Sequence, residues 1–261
     1  MTSALAGAYD NAAASWAAGP ELIYKRLAQR LVSHAGELDN RLALDAGTGS
    51  GVAARAMQRA GARVIACDLA HGMLAHRAPA RPPATVGDIT RLPFRDGVVD
   101  VAVAAFVVNH LPEPTAGLRE LARVVTQQGV VLVSSFAAGP EPAVKGIVED
   151  VAVSFGWSRP RWYSEVKASA ATQTESVTQL DSAQRTAGFA VHEAWEETVD
   201  FSDLDAASLV AWRLGMPAMT PFVQSLGPER RRELIRTAEA AAADAPPTVL
   251  TMLLGRGRHT S

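Results

Sequence analysis

Hydrophobic residues along the chain fall into short unbroken runs and helically spaced series, and the two kinds alternate. Leu42-Ala43-Leu44, Val64 to Cys67, Val101 to Val108 and Val130 to Ser134 are compact apolar runs, suited to strands buried on both faces of a parallel sheet. Val52 to Ala60, Leu69 to His76, Thr115 to Val125 and Val177 to Gly188 read as the helices between strands, and Gly61 is a fitting helix end. Val191 to Val199 and Val249 to Leu254 give the last two strands. Ahead of the first strand, Leu22, Ile23, Leu27, Leu31 and Val32 mark a helix over Pro20 to Val32 with one apolar stripe. After Gly139 the alternation lapses. Glu141 to Phe155 reads as a helix, Gly156 to Tyr163 as a loop or cap, and Leu204 to Leu214 and Gly227 to Ala243 as helices joined by a Met- and Pro-containing connection. Arg77 to Pro83, with three prolines, reads as a loop. The pattern predicts an α/β fold with a parallel sheet and helices on both faces.

The first strand leads into Asp45-Ala46-Gly47-Thr48-Gly49-Ser50-Gly51, three alternate glycines opening a helix near Val52. Such glycines remove β-carbons where a tight crossover bend brings a ligand against the main chain. A dinucleotide fingerprint would need a small residue at Val52, and a P-loop would need Gly-Lys-Ser/Thr. Neither pattern is present. Asp45 would repel a phosphate and favours a ligand carrying positive charge. Two further acids follow: Asp68 closes the second strand, and Asp88 follows Thr85-Val86-Gly87. Each acid alone is as well explained by backbone capping. The three in this order, beside the glycines, point to a ligand site.

Bulk properties narrow the setting. The chain has 261 residues, a formal net charge of −2 and 48% hydrophobic residues, enough for a large globular core and too little positive charge for a general nucleic-acid field. Arg159 and Arg161 lie beside aromatics, but no wider basic surface accompanies them, and Arg230-Arg231-Arg232 fits a solvated helix face. The single cysteine, Cys67, excludes an intrachain disulfide and suits a reducing compartment. His71 and His76 lack the further partners a metal site needs, so no metal is expected. No stretch reads as a leader or a membrane span, and a soluble cytoplasmic protein is expected, as a monomer or homodimer.

The run Leu-Asp-Ala-Gly-Thr-Gly-Ser-Gly, with Asp68 and Asp88, resembles the first motifs of class I S-adenosylmethionine-dependent methyltransferases, in particular the small-molecule group related to the ubiquinone and menaquinone enzymes. The resemblance spans Tyr9 to about Phe136. It implies a Rossmann-like seven-stranded, mostly parallel sheet whose final strand is antiparallel, and a helical cap over the ligand edge. It implies one methyltransferase domain over 1–261, with N-terminal lid helices at about 1–35, a cofactor core at about 36–136, and cap segments at about 139–178 and 200–245.

Carried over residue by residue, the resemblance assigns S-adenosylmethionine to Asp45, Ala46, Gly47, Thr48, Gly49, Asp68 at the ribose diol, Leu69, Met73, Asp88 at the adenine amino group, Ile89, Ala105 and Phe106. Tyr9 and Trp16 take a lid role, or else anchor a terminal helix. Asn109-His110 ends the fourth strand where such proteins often carry histidines. His110 is thus a candidate general base, with pocket shaping or capping as the alternative. Trp157, Trp162, Tyr163, Trp212, Met216, Met219 and Phe222 are candidate substrate contacts, each equally suited to core packing. Thr126-Gln127-Gln128-Gly129 replaces the family's Pro-Gly-Gly turn, so a different turn is expected there. The expected reaction is methyl transfer to an O, N or C nucleophile of a small hydrophobic or aromatic acceptor. The alternatives are a cofactor-bound scaffold for cyclisation or rearrangement, and, less favoured, RNA methylation.

Overall fold

The computed structural model describes residues 3–76, 81–169 and 173–258. In chain order it runs α1 (Ser3–Ala18), α2 (Pro20–Ser33), β1 (Leu42–Ala46), α3 (Val52–Arg59), β2 (Arg63–Asp68), α4 (His71–His76), β3 (Ala84–Val86) and β4 (Val99–Ala105). It continues through α5 (Pro114–Val124), β5 (Val125–Phe136), α6 (Ala143–Ser154), α7 (Arg161–Ser169), α8 (Val177–Thr186) and β6 (Val191–Asp200). The last elements are α9 (Ala206–Leu214), α10 (Thr220–Ser225), α11 (Pro228–Ala242) and β7 (Val249–Arg258). Residues 77–80 of the expected proline loop, and part of the first cap segment, lie outside the described residues.

The seven strands form one sheet in the order β3-β2-β1-β4-β5-β7-β6. Pairs among β1 to β5 are parallel, while β7 runs antiparallel to both β5 and β6. Side chains alternate between the two faces. In β4, Val101 and Val103 join the core under α2, α3, α6, α9 and α11, whereas Ala102 and Ala104 join the core under α5 and α8. In β5, Val130 and Leu132 face the first core, Val131 and Val133 the second. Both faces are covered, which is why these strands read as unbroken apolar runs. Asp100 at the start of β4 accepts the Leu42 backbone N–H at 2.9 Å and ties β1 to it.

Several expectations are corrected. Strand β4 ends at Ala105 rather than Val108: Phe106 takes φ 58°, and Val108–His110 forms a 3₁₀ turn. At Thr126 to Gly129 the departure from the family's turn is as expected, with no positive φ among them. The chain passes from α5 directly into β5, and the register with β4 shifts between Val99 and Val101 to absorb the extra residues. Trp162 and Tyr163 sit on the helix α7, not a loop, and the connection after Leu214 contains α10. Leu22 is 45% exposed; the buried residues of α2 are Pro20, Ile23, Leu27, Ala28, Leu31 and Val32, with Tyr24 partly buried beside them. Among the described residues no helix is long and apolar enough to cross a membrane.

Candidate active site

The strand order reverses between β1 and β4, and a crevice opens beyond their carboxyl ends, where open α/β sheets take ligands. The glycine turn lies at its edge. Gly47 and Thr48 donate their N–H groups to the Cys67 carbonyl at 2.7 and 3.0 Å, which holds the turn against β2. Gly47 has φ 74°, and a β-carbon there would lie 2.4 Å from Val107 Cγ2, so the 3₁₀ segment after β4 closes on the bare backbone.

Three carboxylates line the crevice beside the turn. Asp45 is 1% exposed; its Oδ2 accepts from the Thr48 hydroxyl at 2.7 Å and the Ala54 N–H at 2.8 Å. Its Oδ1 is buried with no hydrogen-bond partner. Burial pushes the Asp45 pKa up to about 6 against the two hydrogen bonds it accepts. Asp68 accepts from the Gly49 N–H at 2.7 Å and the Ala70 N–H at 2.8 Å; burial again raises its pKa, opposed by these backbone donors. Asp88 is half-buried and works against desolvation in the other sense: the Thr90 N–H and hydroxyl, both at 2.9 Å, keep its pKa below the usual carboxylate value.

The turn opens onto a cavity of about 900 Å³. Of the cofactor candidates, Tyr9, Trp16, Asp45, Gly47, Thr48, Gly49, Asp68, Leu69, Met73, Asp88, Ile89, Ala105 and Phe106 line it, as does His110. Trp157, Trp162, Tyr163, Trp212, Met216 and Met219 line its cap side. Ala46 and Phe222 do not. Ala46 points into the core under α5, and Phe222 packs on the core under α2 and α9. Sequence reasoning missed Tyr24, Phe136, Lys145, Glu149 and Arg213, which also line the cavity. Tyr24 was detectable from its helical spacing with Leu27, Ala28 and Leu31 on α2; the others carry no local signal.

An unbroken row of rings crosses the cavity wall. Centroids are 5.9 Å apart for His110 and Tyr9, 5.5 Å for Tyr9 and Trp16, and 4.7 Å for Trp16 and Tyr24. The row continues through Tyr24 and Phe106 at 5.3 Å to Phe106 and Phe136 at 4.5 Å. The Tyr9 hydroxyl lies 3.3 Å from His110 Nε2, while His110 Nδ1 is buried without a partner. Desolvation lowers the His110 pKa to about 4 and raises that of Tyr9 well above its ordinary value, so both are neutral at physiological pH.

Helix α1 packs tightly on α4. The Gly72 N–H donates to Asp10 Oδ1 at 2.6 Å, and a β-carbon on Gly72 would lie 2.7 Å from the Asp10 carbonyl oxygen. Gly72→Ala is therefore expected to push α1 off α4. Cofactor affinity should fall about five- to tenfold, with faster protease cleavage within α1, because overpacking at a backbone contact costs about 1–3 kcal/mol. Unchanged affinity and cleavage would show that α1 does not cover the site.

Comparison with known proteins points to methyltransferases. The methyltransferase domain family matches residues 44–133. The malonyl-[acyl-carrier protein] O-methyltransferase of Serratia marcescens is 36% identical over 138 residues, 52% of this chain and 54% of that protein. The demethylmenaquinone methyltransferase of Mycolicibacterium gilvum is 40% identical over 94 residues, 36% of this chain and 41% of that protein. The chain thus spans about half the length of these relatives. A solved complex of the Haloferax volcanii Trm112 methyltransferase activator with its methyltransferase superposes with a TM-score of 0.61 at 21% identity, covering 97% of this chain and 98% of that one, a likeness of fold. Residues 44–133 thus match the methyltransferase domain family, and over part of its length the chain is similar to the malonyl-[acyl-carrier protein] and demethylmenaquinone methyltransferases.

Proposed function

We propose that the protein transfers a methyl group from S-adenosylmethionine to an oxygen, nitrogen or carbon of a small hydrophobic or aromatic metabolite. The observation that carries this reading is the buried, unpartnered Oδ1 of Asp45 on the wall of a cavity that continues past the glycine turn into an aromatic cap. An orphaned carboxylate oxygen, at a turn whose Arg55 neighbour is already bound to the Ser50 carbonyl and Glu21, suits a cation and opposes a phosphate. Bound S-adenosylmethionine supplies an electrophilic methyl on its sulfonium and a free ammonium. Gly47 gives the main chain close approach, Asp68 and Asp88 offer acceptors at the ends of successive strands, and Tyr9 and Trp16 shield the site from water. His110, neutral and facing the cavity, takes the proton of an acceptor that must lose one. In this reading residues at about 1–35 form the lid, 36–136 the cofactor core, and 139–178 with 200–245 the cap of one cytoplasmic domain, working as a monomer or homodimer.

The test is calorimetric titration with S-adenosylmethionine and S-adenosylhomocysteine, followed by a search for acceptors that yield S-adenosylhomocysteine. Micromolar binding with turnover is expected. No binding would overturn the reading, and binding without S-adenosylhomocysteine formation from any acceptor would move the chain to a rearranging use of the fold.

A pH dependence follows from Asp45. Its pKa stands at about 6 in the folded protein, so it is protonated below that and ionised above. A cation stabilises the ionised form, so affinity should be full above pH 6 and fall by up to about tenfold per unit below it. Titration near pH 6 should release protons to the buffer. Asp45→Asn should bind weakly and with a flat profile between pH 5 and 7; a wild-type profile that is also flat would remove Asp45 from cation binding.

A further inference from the structure

The cap end of the cavity holds two N–H donors, Trp212 Nε1 and Arg213 Nε, that no protein acceptor satisfies. Trp212 and Arg213 close α9, and both line the cavity. Trp212 is 1% exposed, and its indole Nε1 is buried without a partner. The Arg213 side chain is 6% exposed; one terminal nitrogen donates to Glu149 Oε1 at 3.1 Å, and its Nε is buried without a partner. Lys145, one turn before Glu149 on α6, carries its ammonium 5.6 Å from the Phe136 ring centre and 5.8 Å from that of Trp212. The Arg213 guanidinium lies 5.4 Å from the same Trp212 ring. Two cationic groups therefore lie near one indole, whose own N–H is a third donor.

Acids are also present in this corner. Glu149 is shared, accepting from Arg213 and also from Arg159 at 2.7 Å, so that one carboxylate faces two guanidinium groups. Glu141 lies 3.7 Å from the Lys145 ammonium with its side chain half exposed to water. Glu175 and Glu196 line the same cavity and are partly exposed. Lys145 and Arg213 thus each meet a carboxylate, and two N–H donors, Trp212 Nε1 and Arg213 Nε, stay without a partner. A buried donor left unmade costs its full desolvation, and a buried cation is retained where an anion completes it. A purely hydrocarbon acceptor would leave both N–H groups unsatisfied.

We infer that this corner is an anion pocket, and that the methyl acceptor is an organic carboxylate whose apolar body lies along the aromatic row while its carboxylate is anchored by Arg213, Trp212 and Lys145. This rests on the methyltransferase reading and narrows its substrate class. Guanidinium and indole donors side by side can serve both oxygens of one carboxylate, a match that a neutral amide or alcohol does not reproduce.

The experiment compares 2-naphthoate with its neutral isostere 2-naphthamide by quenching of tryptophan fluorescence, in protein saturated with S-adenosylhomocysteine. Wild type should favour naphthoate by about tenfold or more. Arg213→Met should bring the ratio to about one, Lys145→Met should lower it severalfold, and Trp212→Phe, which keeps the ring and removes its donor, should lower it less. S-adenosylhomocysteine binding serves as the folding control in every variant and is expected to be unchanged. Equal binding of the two probes by wild type, no naphthoate binding, or a ratio that survives in both Arg213→Met and Lys145→Met would overturn the anion pocket. Failure of wild type to bind S-adenosylhomocysteine would instead overturn the methyltransferase reading.

Discussion

Replacing Asp68 by alanine should weaken S-adenosylmethionine binding by roughly 10²-fold or more. Asp68 stands at the end of β2, 8% exposed, and does two things at once. Its Oδ2 fixes the Gly49 N–H of the glycine turn and its Oδ1 the Ala70 N–H at the entry to α4. The same carboxylate lines the cavity and is the proposed acceptor for the ribose diol. Alanine removes the ligand contact and also frees two backbone donors, one of them inside the turn. Truncating one partner of a buried charged hydrogen bond costs about 2–5 kcal/mol, and each orphaned donor about 1–3 kcal/mol, so Tm should fall as well. Asp68→Asn separates the two contributions. Its amide oxygen still accepts one backbone bond, so stability should recover more than affinity. Calorimetric affinity and thermal melts of the two variants measure this; an alanine variant that binds as tightly as wild type would take Asp68 out of the site.

The parts of this molecule that were legible in its sequence are those whose conformation is set locally. The glycine turn declares itself because only glycine tolerates its dihedrals, and Asp45 and Asp68 sit at strand ends that apolar runs define. The end of β4 was not legible. Val101 to Val108 is apolar throughout, and the break at Phe106, held by its N–H to the Ser134 carbonyl and hydroxyl oxygens, depends on β5. The reason for Gly47 is likewise remote: the atom its β-carbon would strike belongs to Val107, brought there only by the crossover from β1 to β4. The cap shows the same limit. Helical spacing reveals α6 and α9, yet Lys145 and Arg213 look like ordinary surface charges until α6 and α9 are packed over the sheet edge. Phe222, apolar and close to Met219 in sequence, looks like a pocket residue and instead seals α10 onto the core.

His110→Ala should lower kcat by roughly 10² while leaving S-adenosylmethionine affinity nearly unchanged. The 3₁₀ turn after β4 delivers the ring to the cavity, with Nε2 at the Tyr9 hydroxyl and Nδ1 buried without a partner. Burial lowers its pKa to about 4, which has two consequences of fixed sign. The imidazole is already neutral across pH 6 to 8, so no ionisation of His110 in the free enzyme should appear in kcat/KM over that range, and the limb it controls lies near pH 4. The unfolded chain binds the proton near pH 6.5 and the folded one does not, so stability from this group is fully present above about pH 6.5 and is lost as pH falls towards 4; the alanine variant should show a shallower acid loss. A depressed pKa also makes a weaker base, which suits an acceptor whose proton becomes acidic only as the methyl bond forms, and which the orphaned Nδ1 or the Tyr9-linked Nε2 can receive. Tyr9→Phe keeps the ring row and removes the hydroxyl, so it should slow turnover less than His110→Ala. If kcat survives His110→Ala while the acid stability slope flattens, the ring only shapes the pocket; if both change, the same burial that destabilises its charged form is what holds it ready as the base.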